Sequence, residues 1–353
     1  MRLPFVYLLL SVPLIILSSA VIVLAAALAP DDSYQFAAQG TDRTGPVGIY
    51  LIDLERNLAQ RVGDGMRPAW GNRADQLAFD TSHITQAHIY QMTLPGRQQR
   101  DLSSKADTGW ASRPAWSSDG SALVWRVIAT DLNPQQQVYR MDMQTGSIER
   151  WFTFLGDIAQ ITLAPDGSGA LLTARTPDVP VPRYFFYLDG WEEPRLLDNM
   201  VWGTWSPDAA QMVVGVLGPD GYDVDLYIAD VDANTETGLD LAAAAPLTAV
   251  PARETYPAWS PDGRYIAYLT GIGNKDGFHI YEIATQSTLS IPLTRSDILS
   301  NPRWSPDSKI ILFDVYQRSA NRNTHLWLHV DEGVFHPLET DEAFSHVSWR
   351  PPG

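Results

Sequence analysis

Carboxylates recur along this chain at a regular interval, and carboxylates are common metal ligands and proton carriers. Asp119, Asp166, Asp208, Asp262 and Asp307 each stand two residues after a Ser or Ala, in runs such as Trp259-Ser-Pro-Asp-Gly263. A ring of such groups could hold an ion. The surrounding residue types point elsewhere: Pro presets φ, Asp bonds its own backbone two residues on, and Gly takes positive φ, which together make a tight turn. A group that every copy of a repeat carries serves the repeat, so these aspartates are assigned to turns. His88, His279 and His325 each precede an Ile-Tyr or Leu-Trp pair. They belong to separate copies of the repeat and are not expected to converge on one metal. Asp220-Gly-Tyr-Asp-Val-Asp225 gathers three carboxylates but lacks the later ligands of a calcium loop. There is no Gly-x-Ser-x-Gly elbow, no phosphate-binding Gly-rich loop with Lys and no His-Glu-x-x-His. The sequence therefore offers no catalytic residue, no metal site and no cofactor.

The elements that would carry any site follow from spacing. Trp70, Trp116, Leu163, Trp205, Trp259, Trp304 and Trp349 are separated by 46, 47, 42, 54, 45 and 45 residues, close to the roughly 40–50 residues of a four-stranded propeller blade. Nine residues after the first six anchors comes an apolar residue: Phe79, Trp125, Leu172, Val214, Tyr268 and Phe313. A constant nine is what a hairpin of fixed turn length gives. A third strand follows each time, at Ile89–Met92, Val138–Met141, Phe185–Leu188, Leu226–Ala229, Ile280–Ile283 and Leu326–His329. Outer strands are marked by Pro246-Leu-Thr248, Pro292-Leu-Thr294 and Pro337-Leu338.

The fold expected is all-β, a seven-bladed β-propeller, with six blades as the lesser alternative. Whole blades fall at about 66–109, 110–156, 157–199, 200–250, 251–297 and 298–343. Trp349 begins a hairpin that 353 residues cannot finish, while Tyr34–Ala38, Ile49–Asp53 and Ala59–Val62 supply three strands without an anchor. One blade, from 344–353 plus 31–65, is therefore split between the termini, which leaves no sheet edge free between first and last blades. The 14 residues from Phe36 to Tyr50 match those from Trp125 to Tyr139, which equates Phe36 with Trp125. The insertion near Asp232–Ala245 is read as a surface loop. The Pro-rich links Asp131–Gln135 and Thr176–Pro182 should project from one face.

One position breaks the uniformity. Three residues before each anchor stand Arg67, Arg113, Gln160, Trp202, Tyr256, Asn301 and His346. The innermost strands face the central channel, so this set is expected at one channel mouth, where it could bind an anionic or polar ligand. It contains no carboxylate, which argues against acid–base catalysis there. Replacing Arg67 and Arg113 together is expected to weaken capture without unfolding the ring.

Net charge is −16 and the pI about 4.7, and Lys and Arg are scattered singly. Such a surface repels phosphate backbones, so no nucleic-acid partner is expected. The absence of cysteine excludes disulfides, thiolate sites and a lipidated N-terminal Cys. Leu3–Pro30 is free of charge over 28 residues, longer than the roughly 20 a membrane helix needs. Residues 1–30 are read as an uncleaved membrane anchor; a cleaved signal peptide is the alternative, with Ala25–Ala29 as the small-residue site. Arg2 before the apolar run and Asp31-Asp32 after it place the N-terminus in the cytoplasm and residues 31–353 outside a bacterial cytoplasmic membrane, in a periplasmic or extracellular position.

Trp-Ser-Pro-Asp-Gly, an apolar strand and then Ile-Tyr resemble the TolB-type, WD40-like propeller repeat, and the copies span about residues 34 to 353. The resemblance covers only the propeller part. TolB proteins carry an α/β domain ahead of their blades, for which there is no room here, so a role in the Tol-Pal system is not carried over. The Gly-His and Trp-Asp pairing of the cytosolic propeller repeats is missing. What the resemblance implies is a non-catalytic scaffold that binds a protein, peptide or glycan. The alternatives are a hydrolase or lyase acting on a sugar or lactone at the channel mouth, and a propeller gate for a separate hydrolase.

Overall fold

The computed structural model describes residues 34–41, 47–81, 87–104, 109–129, 135–248, 253–271, 277–293, 297–339 and 343–352. Within them the chain forms seven four-stranded antiparallel sheets. Six are laid down inner strand to outer strand, over 66–101, 110–155, 157–197, 200–246, 254–292 and 298–337. The seventh is composite: Ala343–Trp349 is its inner strand, and Gln35–Thr41, Gly48–Asp53 and Leu58–Asp64 follow outward. The apolar segment read as an anchor lies outside the described residues, as does most of the Asp131–Gln135 link. Among the described residues no helix is long and apolar enough to cross a membrane.

Blade position explains strand composition. Second strands are covered on both faces by neighbouring blades, so Ala122–Arg126 is buried without alternation. Outer strands such as Gln98–Asp101 and Ser287–Pro292 are mostly exposed and polar, which guards their free edges against pairing with another chain. The core is a set of clusters between adjacent blades. The composite blade packs Phe36 and Ile52 against Ile310 and Leu312 of blade six, and Ala37 and Ile49 against Leu77 and Phe79 of blade one. Alternate residues thus face opposite neighbours and close the ring. The register differs from the sequence expectation by two residues. Ala38, not Phe36, stands opposite Tyr50 as Trp125 stands opposite Tyr139. Because the side-chain period is two, the shift leaves both residues on the same face, and both are fully buried.

The repeated turn is as its residue types require. In blades two, four, five and six, the Ser hydroxyl lies 2.6 Å from the Asp carboxylate (Ser117–Asp119, Ser206–Asp208, Ser260–Asp262, Ser305–Asp307). The same Ser oxygen accepts the N–H five residues on, at 2.9 Å, and the Asp accepts the N–H two residues on. These carboxylates cap turns.

The anchors join neighbouring blades. The indole N–H groups of Trp116, Trp304 and Trp349 donate to the carbonyls of Ala69, Ala258 and Arg303 on the preceding blade, at 3.0–3.1 Å. Trp259 is different. Like Trp116 and Trp349 it is half-buried, but its N–H reaches Gly263 of its own turn at 3.3 Å, so the copy that reads best in sequence is not the best inter-blade bolt. The insertion also departs from expectation. Residues 232–238 form turns, and the alanine run lies in the outer strand Leu239–Pro246 rather than in a loop, accommodated by a break in register between Ile228 and Asp230. Thr176–Pro182 is the tip of a hairpin, with Thr176 opposite Val179 and Val181 exposed.

Five residues before the anchors, six blades bury an apolar residue or glycine: Gly65, Ala111, Ile158, Met200, Leu299 and Phe344. Blade five buries Glu254, with no surface exposed. Burial, aided by the nearby charge of Asp225, pushes its carboxyl up from 4.5 to about 7. The folded state therefore holds a proton that the unfolded chain releases between about pH 4.5 and 7. This contribution to stability is complete below pH 4.5 and is lost as pH rises through 7. Glu254→Gln should flatten that dependence and exceed the wild type above pH 7 by about 3 kcal/mol. Urea denaturation at pH 5 and pH 8 checks it; an equal difference at both pH values would count against it.

Candidate functional site

The divergent position lies at a β-bulge. In each inner strand the ladder to the second strand slips beside it: between Met66 and Ala69, Ser112 and Ala115, Ile158 and Gln160, Met200 and Trp202, Thr255 and Ala258, and Ser300 and Arg303, with the matching break at Ser345–Ser348. Arg67, Arg113, Tyr256, Asn301 and His346 take φ between +48° and +60°, a left-handed conformation costing roughly 1 kcal/mol for a residue with a Cβ. The bulge re-aims the side chain and takes the N–H out of the ladder. A side chain of the preceding blade collects it in two cases: Gln39 Oε1 accepts Arg67 N–H at 3.1 Å, and Asp80 Oδ2 accepts Arg113 N–H at 2.9 Å.

All seven residues meet around the axis. A cavity of about 660 Å³ is lined by Arg67, Arg113, Gln160, Asn301 and His346. A second lobe of about 270 Å³ is lined by Trp202, Tyr256 and, again, Gln160 and Asn301. Trp202 and Tyr256 lean on each other, ring centroids 4.1 Å apart at 45°. Asn301 donates to Asp314 at 2.8 Å, and Gln160 to Thr162 at 3.4 Å.

The seven divergent positions hold no carboxylate, but carboxylates reach this region from the next strand. Asp80 and Asp314 enter from second strands, one residue beyond the apolar positions Phe79 and Phe313, and Asp314 lines the larger lobe. Both are engaged. Asp80, fully buried, takes Nε and Nη2 of Arg67 at 2.7 and 3.0 Å. Asp314 takes Arg303 through two bonds of 2.8 Å, and His325 Nδ1 lies 3.3 Å away. Burial alone would raise the Asp314 carboxyl; His325 and Arg303 outweigh it and hold it well below the usual range. Arg126, at the same second-strand position in blade two, pairs with Asp157 at 2.8 Å. These ion pairs were legible in principle: one residue past each apolar +9 position, three blades carry a charge.

Arg113 is left over. Its guanidinium has no hydrogen bond or ion pair among the described residues, and its Nε is buried without a partner. Burial, with repulsion from Arg126 and Arg67, brings it down to about 10. His346 is solvent-accessible by area yet sits within the concave ring, where enclosure and then Arg67 and Arg113 lower its imidazole.

The histidines of the third strands do not converge. His88 meets Asp101 at 3.4 Å, His279 bridges Thr270 and Ser290 at 2.9 Å each, and His325 serves Asp314. Among the described residues no three His, Cys, Asp or Glu side chains come together to hold a metal ion. Asp220 accepts the N–H groups of Tyr222 and Asp223, making a turn.

A closed ring of seven sheets around a lined axial cavity defines a seven-bladed β-propeller. The chain matches no protein-family model and no curated protein. Among solved structures it is similar to TolB from Acinetobacter baumannii, at 16% identity and TM-score 0.53, over 90% of this chain and 67% of that one. An oligogalacturonate lyase in complex with manganese is similar at 15% identity and TM-score 0.60, over 85% and 91%. The β-propeller domain of the Trilobed protease from Pyrococcus furiosus is similar at 11% identity and TM-score 0.58, over 87% and 92%. At these identities the likeness establishes the fold: the chain is a TolB-like propeller in architecture.

Proposed function

We propose that this protein is a membrane-anchored, extracytoplasmic binding ring that captures a protein, peptide or glycan at its axial cavity without catalysing a reaction. The observation that carries the reading is the gathering of the seven divergent residues on one cavity wall, while the blade-periodic residues are consumed by turns and packing. Anchoring rests on the uncharged Leu3–Pro30 run, and the outward orientation on Arg2 and Asp31-Asp32. Protein binding accords with the TolB likeness.

The oligogalacturonate lyase likeness and the carboxylates in the wall favour a second reading, an enzyme acting on a sugar. General acid–base work calls for a carboxyl or imidazole titrating near the working pH. Asp314 is held far below that range, and the imidazole of His346 on the cavity wall is the group this second reading would use. Photocrosslinking in native membranes tests the binding reading. A photoreactive residue at Gln160 of the full-length chain should capture a reproducible species, and the absence of any adduct from the cavity wall would remove the proposal.

A further inference from the structure

Charge in the axial wall and in the layer directly behind it is distributed unevenly. Four guanidinium groups, those of Arg67, Arg113, Arg126 and Arg303, face three carboxylates, those of Asp80, Asp157 and Asp314. Each carboxylate is already matched: Asp80 with Arg67, Asp157 with Arg126 and Gln136, Asp314 with Arg303 and Asn301. One cation remains, Arg113, on which the repulsion from Arg126 and Arg67 outweighs the attraction of Asp157 and Asp80. This excess lies inside a chain whose net charge is −16. A guanidinium enclosed beside two others, without a counter-ion, costs free energy in the empty ring. An oxyanion would remove that cost and supply the planar, two-oxygen partner that the guanidinium fork fits.

We propose that Arg113 is the oxyanion subsite of the axial cavity, so that the ligand presents a carboxylate or a phosphate to its guanidinium. This rests on the reading of the cavity as a binding site and narrows it to acidic ligands. The nearer surroundings agree. His346 and Arg67 line the same lobe and add donors and positive potential, while Gln160 and Asn301 connect it to the aromatic lobe. An anion here should also favour protonation of His346, so binding should tighten as pH falls through the titration of that imidazole. Arg113 therefore works against the stability of the empty ring, as binding groups often do.

The test uses full-length protein in detergent micelles at constant ionic strength. Inorganic phosphate, succinate and neutral succinamide are titrated separately, reading tryptophan fluorescence and the thermal midpoint. Saturable binding of phosphate, succinate or both is expected, with none of succinamide. Arg113→Gln should weaken that binding at least tenfold and leave the empty protein as stable as wild type or more so. Arg113→Lys, which keeps the charge without the fork, should fall between. Arg73→Gln, on an exposed pair with Asp75, should bind as wild type does. Succinate alone identifies a carboxylate ligand and phosphate alone a phosphate ester. The subsite is overturned if neither anion binds, or if Arg113→Gln binds as the wild type does. Photocrosslinking from Gln160 does not depend on this charge: capture there together with a negative titration removes the subsite and leaves the binding ring, while failure of both removes both.

Discussion

Arg67→Ala should destabilise the propeller by about 3–5 kcal/mol, the cost of leaving a buried carboxylate without its partner. Asp80 has no exposed surface, and Arg67 supplies two of its three close donors. The remaining donor, Arg113 N–H, comes from the next blade and cannot neutralise the charge. Arg67→Lys should recover little, since an ammonium cannot reproduce the paired bonds. Arg67→Ala with Asp80→Ala should cost less than the two single changes summed, because the unpaired charge goes too. Urea unfolding of the full-length chain reads these values, and a loss under 1 kcal/mol for Arg67→Ala would contradict the placement. The paired removal of Arg67 and Arg113, read from the sequence as weakening capture without unfolding the ring, should therefore carry a stability cost that comes from Arg67. Arg67 holds the ring together, and Arg113 is the replaceable one.

Trp304→Ala should cost about 3–5 kcal/mol, the usual range for a large aromatic in a core. Trp304 is 6% exposed, stacks on Tyr265 of blade five, and donates to Ala258 of that blade. Its loss opens a cavity and breaks an inter-blade bond together. Trp259→Ala should cost distinctly less, since Trp259 is half-buried and its N–H bonds within its own turn. Thermal or urea unfolding of the two variants side by side gives the ordering; a larger loss for Trp259 would reverse the account of the anchors.

The architecture was legible because a propeller writes its period into the chain. Anchors such as Trp304, the constant nine to Phe313 and the unfinished hairpin at Trp349 were enough to count blades and pair the termini. The candidate site was half legible. Divergence at Arg67 through His346 marked the position, but the bulge that turns these side chains to the axis is a backbone event without a residue signature, which five non-glycine residues adopt at positive φ. Asp80, Arg126 and Asp314 escaped notice because they sit on second strands and reach inward from the next layer. Phe36 was misplaced by two because equal loop lengths were assumed across blades. Glu254 was visible all along as the one acid in a column of buried apolar residues, and only burial shows what that means.

The central claim is that the ring binds through its axial cavity and not through its rim. The direct measurement is photocrosslinking yield from position 160, on the cavity wall, against position 289, on the exposed outer strand of blade five, both in the full-length chain in native membranes. A discrete adduct from position 160 that is absent from position 289 is the predicted result. Adducts from position 289 with none from position 160 would contradict it.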